Sequence, residues 1–394
     1  MKTALLFDCY DDYQIRIQYI QHALEKCGYQ VRIFFSDYDH YQKKYVTHRR
    51  HGIEYLHAKA YQKNLSYKRM HSHAAFAKTC VAKAESFSNV SLVYVMVPPN
   101  SMCKEFAQYK KKHPEVKLVF DVLDMWPESL PLSQTIKSLA YPLLKPWQGY
   151  RDNYLDSADC VLSECNLFTK QIENVVDSKK LHTVYLCGKR DENHPKWKED
   201  YITFLYCGSI NHLIHIDLIV SFLKEVNSYK KVVLHVIGNG ETKDLFLEKV
   251  KENQIEIVDY GIVYDPIKKR SIYQNCMYGL NMMVDTVFVG LTMKSIDYLS
   301  HDLPLINNIK GDTWDFVENN HLGVNVKEGQ IESAAKFIVE QTKEEYYNMQ
   351  KNVVQVFEQH LTEEVVEKEL VEIIEQFSLI PTGKPVGLSA TQSE

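Results

Sequence analysis

The sequence predicts an α/β protein of two Rossmann-like, doubly wound domains facing a cleft, with further helices at the carboxyl end. Three observations predict it. Short β-branched or apolar runs alternate with helix-period segments through most of the chain, the pattern of parallel sheets covered by helices. Its 394 residues exceed a single domain of roughly 150 residues more than twofold. A polar stretch at 188–200, GKRDENHPKWKED, interrupts the alternation where a linker belongs. The composition, 45% hydrophobic and 25% charged, supplies ordinary cores and excludes a disordered or collagen-like chain.

In order along the first half, strands are predicted at 3–8, 31–35, 92–97, 116–123, 160–163 and 183–187. The first connecting helix shows in Ile17, Ile20, Leu24 and Cys27, which share a face, and Gly28 follows as a stop. Residues 1–190 form the first predicted domain. A second series begins at 202–207 and continues at 232–237, 255–258, 280–284 and 303–306, and Glu-rich helical segments fill 332–375. Residues 191–378 form the second domain. The remainder, 379–394, is rich in Gly, Pro and Ser and is predicted to be a disordered tail.

Charge and cysteine content narrow the function classes. Lys and Arg total 46 against 51 Asp and Glu, a net of -5, so the whole molecule is not built to neutralise a nucleic-acid backbone. The nine cysteines are odd in number and form no Cys-x-x-Cys pair, which argues against a disulfide framework and a zinc finger and for a reducing cytoplasm. No run approaches the 18 or so apolar residues of a spanning helix. The expected protein is cytoplasmic, or peripheral on a membrane.

Two open α/β sheets in series bind ligands at the carboxyl ends of their strands. The dinucleotide fingerprint Gly-x-Gly-x-x-Gly and the P-loop are both absent. In VIGNGE, Gly238 and Gly240 either let a ligand approach the backbone or make a tight turn. In YCGSINHLIHID, Gly208 and Ser209 leave room for a diphosphate and present free amides to it. His212 and His215 lack a third ligand nearby, so no metal is expected. In VFVGLTMKSIDYLSHDLPLINN a helix starts near Gly290 and Leu291, with Lys294 in its first turn and Asp297 and Tyr298 on the same side one turn later. That arrangement suits a diphosphate on Lys294 and a ribose diol on Asp297, or a plain surface ion pair.

In the first domain FDVLDMWPESLP ends a strand with Asp121, Asp124 and Glu128 beside Trp126. Asp124 and Glu128 are candidate catalytic carboxylates for a sugar hydroxyl; helix capping by Asp124 and packing of Trp126 are the alternative. Residues 43–83 hold ten Lys or Arg, five His and one acid, Glu54. Lys43, Lys44, Arg49, Arg50, Arg69, His71 and His73 are its candidate contacts for anionic lipid headgroups or a lipid diphosphate, with nucleic acid or a solvated loop as the other readings.

The order FLYCGSI, VIGNGE, VDYGIV, GLTMKSIDYLSHDLPLI and GDTWDFVENNHLGVNV resembles the carboxyl-terminal half of GT-B glycosyltransferases of family 4. More narrowly, with YQKNLSYKRMHSH and FDVLDMWPES in the first half, it is similar to the bacterial capsular, exopolysaccharide and O-antigen transferases. The resemblance runs to about residue 378. It implies a nucleotide-sugar donor, such as a UDP-sugar, held by Gly208, Ser209, Gly238, Gly240, Leu291, Thr292, Lys294, Asp297 and Tyr298. It implies an acceptor held by the first domain, a lipid-linked growing polysaccharide, and transfer with retention, without metal or other cofactor, by Lys294, Asp124 and Glu128. The protein would then be peripheral on the inner face of the cell membrane. The family's Glu-x7-Glu motif falls on Val289 and Asp297, its basic pair after Gly208 is missing, and its first-domain histidine falls near Val97-Pro98. These departures keep two alternatives open: a non-catalytic GT-B partner subunit, and a nucleotide-sugar epimerase.

Overall fold

The structure is a computed structural model that describes residues 2–10, 14–130 and 132–379. The first domain runs β1 (Lys2–Asp8), α1 (Gln14–Lys26), β2 (Tyr29–Ser36), β3 (Tyr38–Asp39), β4 (Lys44–Tyr45), β5 (Ile53–Leu56), α2 (Tyr67–Glu85), β6 (Val90–Val97), α3 (Ser101–Lys112), β7 (Lys117–Val122), α4 (Gln134–Asp152), β8 (Cys160–Ser163), α5 (Asn166–Ile172) and β9 (Leu181–Thr183). The second runs β10 (Ile202–Cys207), α6 (Ile216–Tyr229), β11 (Val232–Ile237), α7 (Lys243–Glu252), β12 (Glu256–Asp259), α8 (Pro266–Gln274), β13 (Tyr278–Asn281), α9 (Met293–Ser300), β14 (Leu305–Asn307), α10 (Asp312–Asn320) and β15 (Gly323–Asn325), followed by α11 (Ile331–Val339), α12 (Lys343–His360) and α13 (Glu363–Leu379).

Two parallel sheets result, seven strands in the order β5-β2-β1-β6-β7-β8-β9 and six in the order β12-β11-β10-β13-β14-β15. The central strands β1, β6, β7, β10 and β11 are buried on both faces, so they read as unbroken apolar runs. Edge strands need less apolar character. That is why β5 and β15, sequences IEYL and GVN, escape a search for apolar runs. The antiparallel pair β3–β4 rises beyond the carboxyl end of β2.

The two halves are knitted together at several points. Helix α13 crosses back onto the first domain, where Val366, Leu370, Ile373, Ile374 and Phe377 share a core with Ala4, Ile20 and Leu24. The chain segment assigned to the second domain therefore ends in a helix that belongs to the first domain's core. Asp312, at the start of α10, accepts hydrogen bonds from the Asn166 and Leu167 amides at 2.7 and 2.9 Å and from the Tyr185 hydroxyl at 2.9 Å. Phe168 stacks on Phe288 nearby, 5.7 Å between ring centres. The carboxyl ends of β8 and of β13 thus meet, and the strand ends that follow line a cleft.

Candidate active site in the cleft

On the second-domain side, β10 and β11 end in loops packed backbone to backbone. A Cβ on Gly238 would lie 2.0 Å from the Gly208 carbonyl oxygen, and one on Gly240 would lie 2.2 Å from that of Ile210. Both glycines also hold φ above +140°. Gly238 and Gly240 are therefore required by the turn itself, the plainer of the two readings of VIGNGE. A Cβ on Gly208 would meet Lys294 Cε at 3.3 Å, so this glycine makes room for the lysine chain. Ser209 is exposed beside it, and its carbonyl accepts from the Tyr206 hydroxyl.

Helix α9 starts as its sequence requires. Thr292 caps it by accepting from the Ser295 amide, and Leu291 is buried behind the cap. Lys294 lies over the Tyr206 ring, 4.2 Å from its centre, with Nζ donating to the Tyr206 hydroxyl at 3.0 Å. No carboxylate lies within 4.0 Å of Nζ among the described residues. Burial pulls this ammonium down to about 8. Lys294 and Asp297 do not pair with each other. Asp297 instead takes Lys269 at 2.5 Å and the Tyr273 hydroxyl, which binds α9 to α8. Tyr298 is wholly buried: its hydroxyl accepts from the Cys207 amide and faces the Leu205 and Leu280 carbonyls. It fastens α9 to the sheet beneath the cleft and presents nothing to a ligand.

His212 pairs with exposed Glu241, and His215 caps α6 by accepting from the Leu218 amide. Together with Asp285, Lys310, Trp314, Lys327 and Glu328, His215 lines a 430 Å³ cavity at the carboxyl ends of β14 and β15, away from Lys294. A smaller cavity of about 230 Å³ lies between the domains, lined by Arg16, Tyr19, Tyr41, Leu186, Cys187 and Met293, the residue before Lys294.

On the first-domain side, the carboxylates of FDVLDMWPES divide by function. Asp121 is fully buried and bidentate with Arg16, at 2.7 and 2.8 Å, and also accepts from the Tyr94 hydroxyl. Glu128 is engaged at both oxygens by buried Arg151, at 2.7 and 3.1 Å. The expectation that Glu128 serves as a cleft carboxylate is corrected: it neutralises an arginine beneath the loop. Asp124 accepts from the Met125 amide, and burial pushes its carboxyl above the ordinary range. Of the three it alone has no arginine or lysine within 4.0 Å among the described residues.

Trp126 brings Arg69 and His73 together: the guanidinium lies 4.0 Å from the ring centre, and the imidazole stacks on it. Tyr10, which follows β1, bonds His73 Nε2 at 3.0 Å, and His40 bonds the Tyr61 hydroxyl at 2.6 Å. Tyr61 drew notice in the sequence only as one of the tyrosines interleaved with the basic segment, and Tyr10 and His40 not at all, because aromatic and imidazole groups scattered over fifty residues carry no spacing signal. The remaining basic residues do not form one face. Lys43 and Lys44 ride the β3–β4 hairpin, whereas Arg49 and Arg50 lie over the rings of Tyr55 and Phe35 by edge strand β5. His71 is exposed and bonds Lys59.

The sequence matches no family model and no curated protein. Solved structures share its architecture across nearly its whole length. Sucrose-phosphate synthase from Thermosynechococcus elongatus aligns with a TM-score of 0.72 at 13% identity, covering 95% of this chain and 99% of that one. The lipopolysaccharide outer core galactosyltransferase WaaB aligns with a TM-score of 0.65 at 17% identity over 95% and 99%. HepE from Anabaena, solved in complex with UDP and glucose, aligns with a TM-score of 0.61 at 11% identity over 95% and 100%. The chain has the fold of these GT-B glycosyltransferases, two Rossmann-like domains about a cleft.

Proposed function

We propose that the chain is a glycosyltransferase of family 4 type, moving a sugar from a nucleotide-sugar donor such as a UDP-sugar to a growing surface polysaccharide. The observation that carries this reading is Lys294. A lysine with no carboxylate partner among the described residues, in the first turn of a helix at strand carboxyl ends, is an anion site waiting for a charge. A nucleoside diphosphate supplies that charge, and Lys294 then stabilises the leaving group as the glycosidic bond to the donor breaks. Gly208 and Ser209 offer the neighbouring amides. In this reading Asp124 faces the acceptor hydroxyl, and transfer proceeds with retention and without a metal ion.

The acceptor is a lipid-linked chain and the protein works at the inner face of the membrane. Two features support this. Helix α4 projects an apolar stripe, Ile136, Leu139, Leu143 and Tyr150, at helical spacing, with Leu139 78% and Leu143 82% exposed. The same helix reaches the acceptor side through Trp147, which packs on Trp126 with 5.7 Å between ring centres.

The test is a thermal melt of purified protein with UDP, followed by assay with UDP-sugars and a polyprenyl-diphosphate-linked acceptor. UDP is expected to raise the melting temperature, and sugar is expected to appear on the acceptor. Binding without turnover by the protein alone would select the non-catalytic partner subunit, a reading favoured by the engagement of Asp297 with Lys269 and Tyr273. An isomerised sugar without acceptor would select an epimerase.

A further inference from the structure

We infer that Arg69, with Lys43 and Tyr10, forms a receptor for a phosphate group carried by the acceptor. The inference rests on the reading that the first domain holds the acceptor, and it names the acceptor's chemical class.

Arg69 is 4% exposed, yet no carboxylate lies within 4.0 Å of its guanidinium among the described residues. Its partners are neutral: the Asn64 carbonyl at 3.0 Å, the Tyr10 hydroxyl at 3.4 Å and His40 Nε2 at 3.5 Å. Its Nε is buried with no hydrogen-bond partner among the described residues. A guanidinium taken out of water without a counter-charge is costly, and an unmade donor adds to that cost. A second cation sits alongside. Lys43 lies over the Tyr61 ring, bonds the Asn64 side chain, and has no carboxylate within 4.0 Å among the described residues. Burial and these two cations hold His40 and His73 neutral, so neither adds charge.

Among the described residues, the acids that face the group make no ion pair with it. Asp39 turns its carboxylate to the amides of Tyr41 and Gln42 at 2.8 and 2.7 Å. Asp124, two residues past β7, has no oxygen within 4.0 Å of the guanidinium, and burial raises its carboxyl above the ordinary range. Two basic side chains therefore converge with a tyrosine hydroxyl from three separate segments: α2, the β3–β4 hairpin and the loop after β1. Guanidinium fork, ammonium and hydroxyl together match the several oxygens of a tetrahedral phosphate better than the two of a carboxylate. The donor diphosphate is already provided for by Lys294 in the other domain. The phosphate belongs either to a soluble sugar phosphate or to a lipid diphosphate, the same chemistry from two sources.

The test is calorimetry on the full chain with the donor site filled by saturating UDP. Glucose 6-phosphate is the soluble probe, glucose its neutral control, and farnesyl diphosphate in phosphatidylcholine vesicles the lipid probe. At least one phosphate probe is expected to bind tenfold or more tightly than glucose, and the probe that binds identifies the source. Arg69→Gln and, separately, Lys43→Gln are each expected to lower that affinity at least tenfold. Lys43 is on the hairpin surface, so its variant stays informative if Arg69→Gln melts early. No binding of either phosphate probe, or undiminished binding by the folded variants, overturns the inference. If UDP itself does not bind, the donor reading fails, while Arg69-dependent phosphate binding measured without UDP still decides this one.

Discussion

Lys294 carries the donor reading, and its protonation makes that reading measurable. Burial lowers it from 10.5 to about 8. The sign follows from where protons are held: between about pH 8 and 10.5 the unfolded chain keeps a proton that the folded chain releases. This group's contribution to stability therefore rises with pH across that window, and its full penalty is present below pH 8. Diphosphate binding runs the other way, because the anion needs the ammonium. Calorimetric affinity for UDP is expected to fall by about tenfold from pH 7 to pH 9, in step with loss of the charged form. Lys294→Met is expected to bind UDP about tenfold or more weakly at pH 7 and to show a flat profile. A parent profile as flat as that of the variant would remove Lys294 from the donor site.

At the scale of elements, α9 is held by groups that sequence spacing assigned to the ligand. Asp297 joins α9 to Lys269 and Tyr273 on α8, and the Tyr273 side chain is buried. Asp297→Ala is expected to cost about 1–3 kcal/mol in urea unfolding by leaving a buried hydroxyl without its partner. A loss of UDP affinity with stability unchanged would instead restore Asp297 to the ribose. Gly238→Ala places a methyl against a carbonyl at the junction of two loops, and about 3 kcal/mol or more of destabilisation is expected. Wild-type melting would show that the loops separate freely. The difference between what could and could not be read in advance is physical. Strands such as 160–163 announce themselves because both faces are buried. Lys294 is legible in the first turn of α9 because helix starts follow local rules, although the helix begins at Met293, two to three residues later than Gly290 and Leu291 suggest. Glu128, Tyr298 and Asp297 were assigned to a ligand from helix spacing, strand-end position and the family resemblance, whereas the partners they take in the structure, Arg151, Cys207 and Lys269, are 23, 91 and 28 residues away. No local pattern encodes such pairings, and Arg69 drew notice for its charge but not for its missing counter-ion.

For the whole molecule, the membrane docking proposed above needs a face that could carry it. No described helix is long and apolar enough to cross one, and the net charge is -5, so any attachment must be local. The basic segment divides in space, with Lys43 and Lys44 on the hairpin, Lys43 over the Tyr61 ring, and Arg49 and Arg50 covering aromatic rings at edge strand β5. The apolar stripe of α4 belongs to the helix whose Trp147 packs on Trp126, with Lys145 over Tyr141 adding a positive charge. Insertion of leucines gains about 25 cal/mol for each Å² buried, and each lysine near an anionic surface adds about 1 kcal/mol. Because charges are screened over roughly 8 Å at physiological salt, the electrostatic part weakens as salt rises while the apolar part persists. Co-sedimentation with anionic vesicles at low salt is therefore expected, with partial release at about 0.5 M salt. Leu139→Asp with Leu143→Asp is expected to abolish it, Lys43→Ser with Lys44→Ser to halve it or more, and Arg49→Ser with Arg50→Ser to change it little. Equal binding by neutral and anionic vesicles would remove the lysines from the contact. Undiminished binding by the α4 double variant would move the contact off that helix, and no binding by the parent would make a soluble acceptor the better reading.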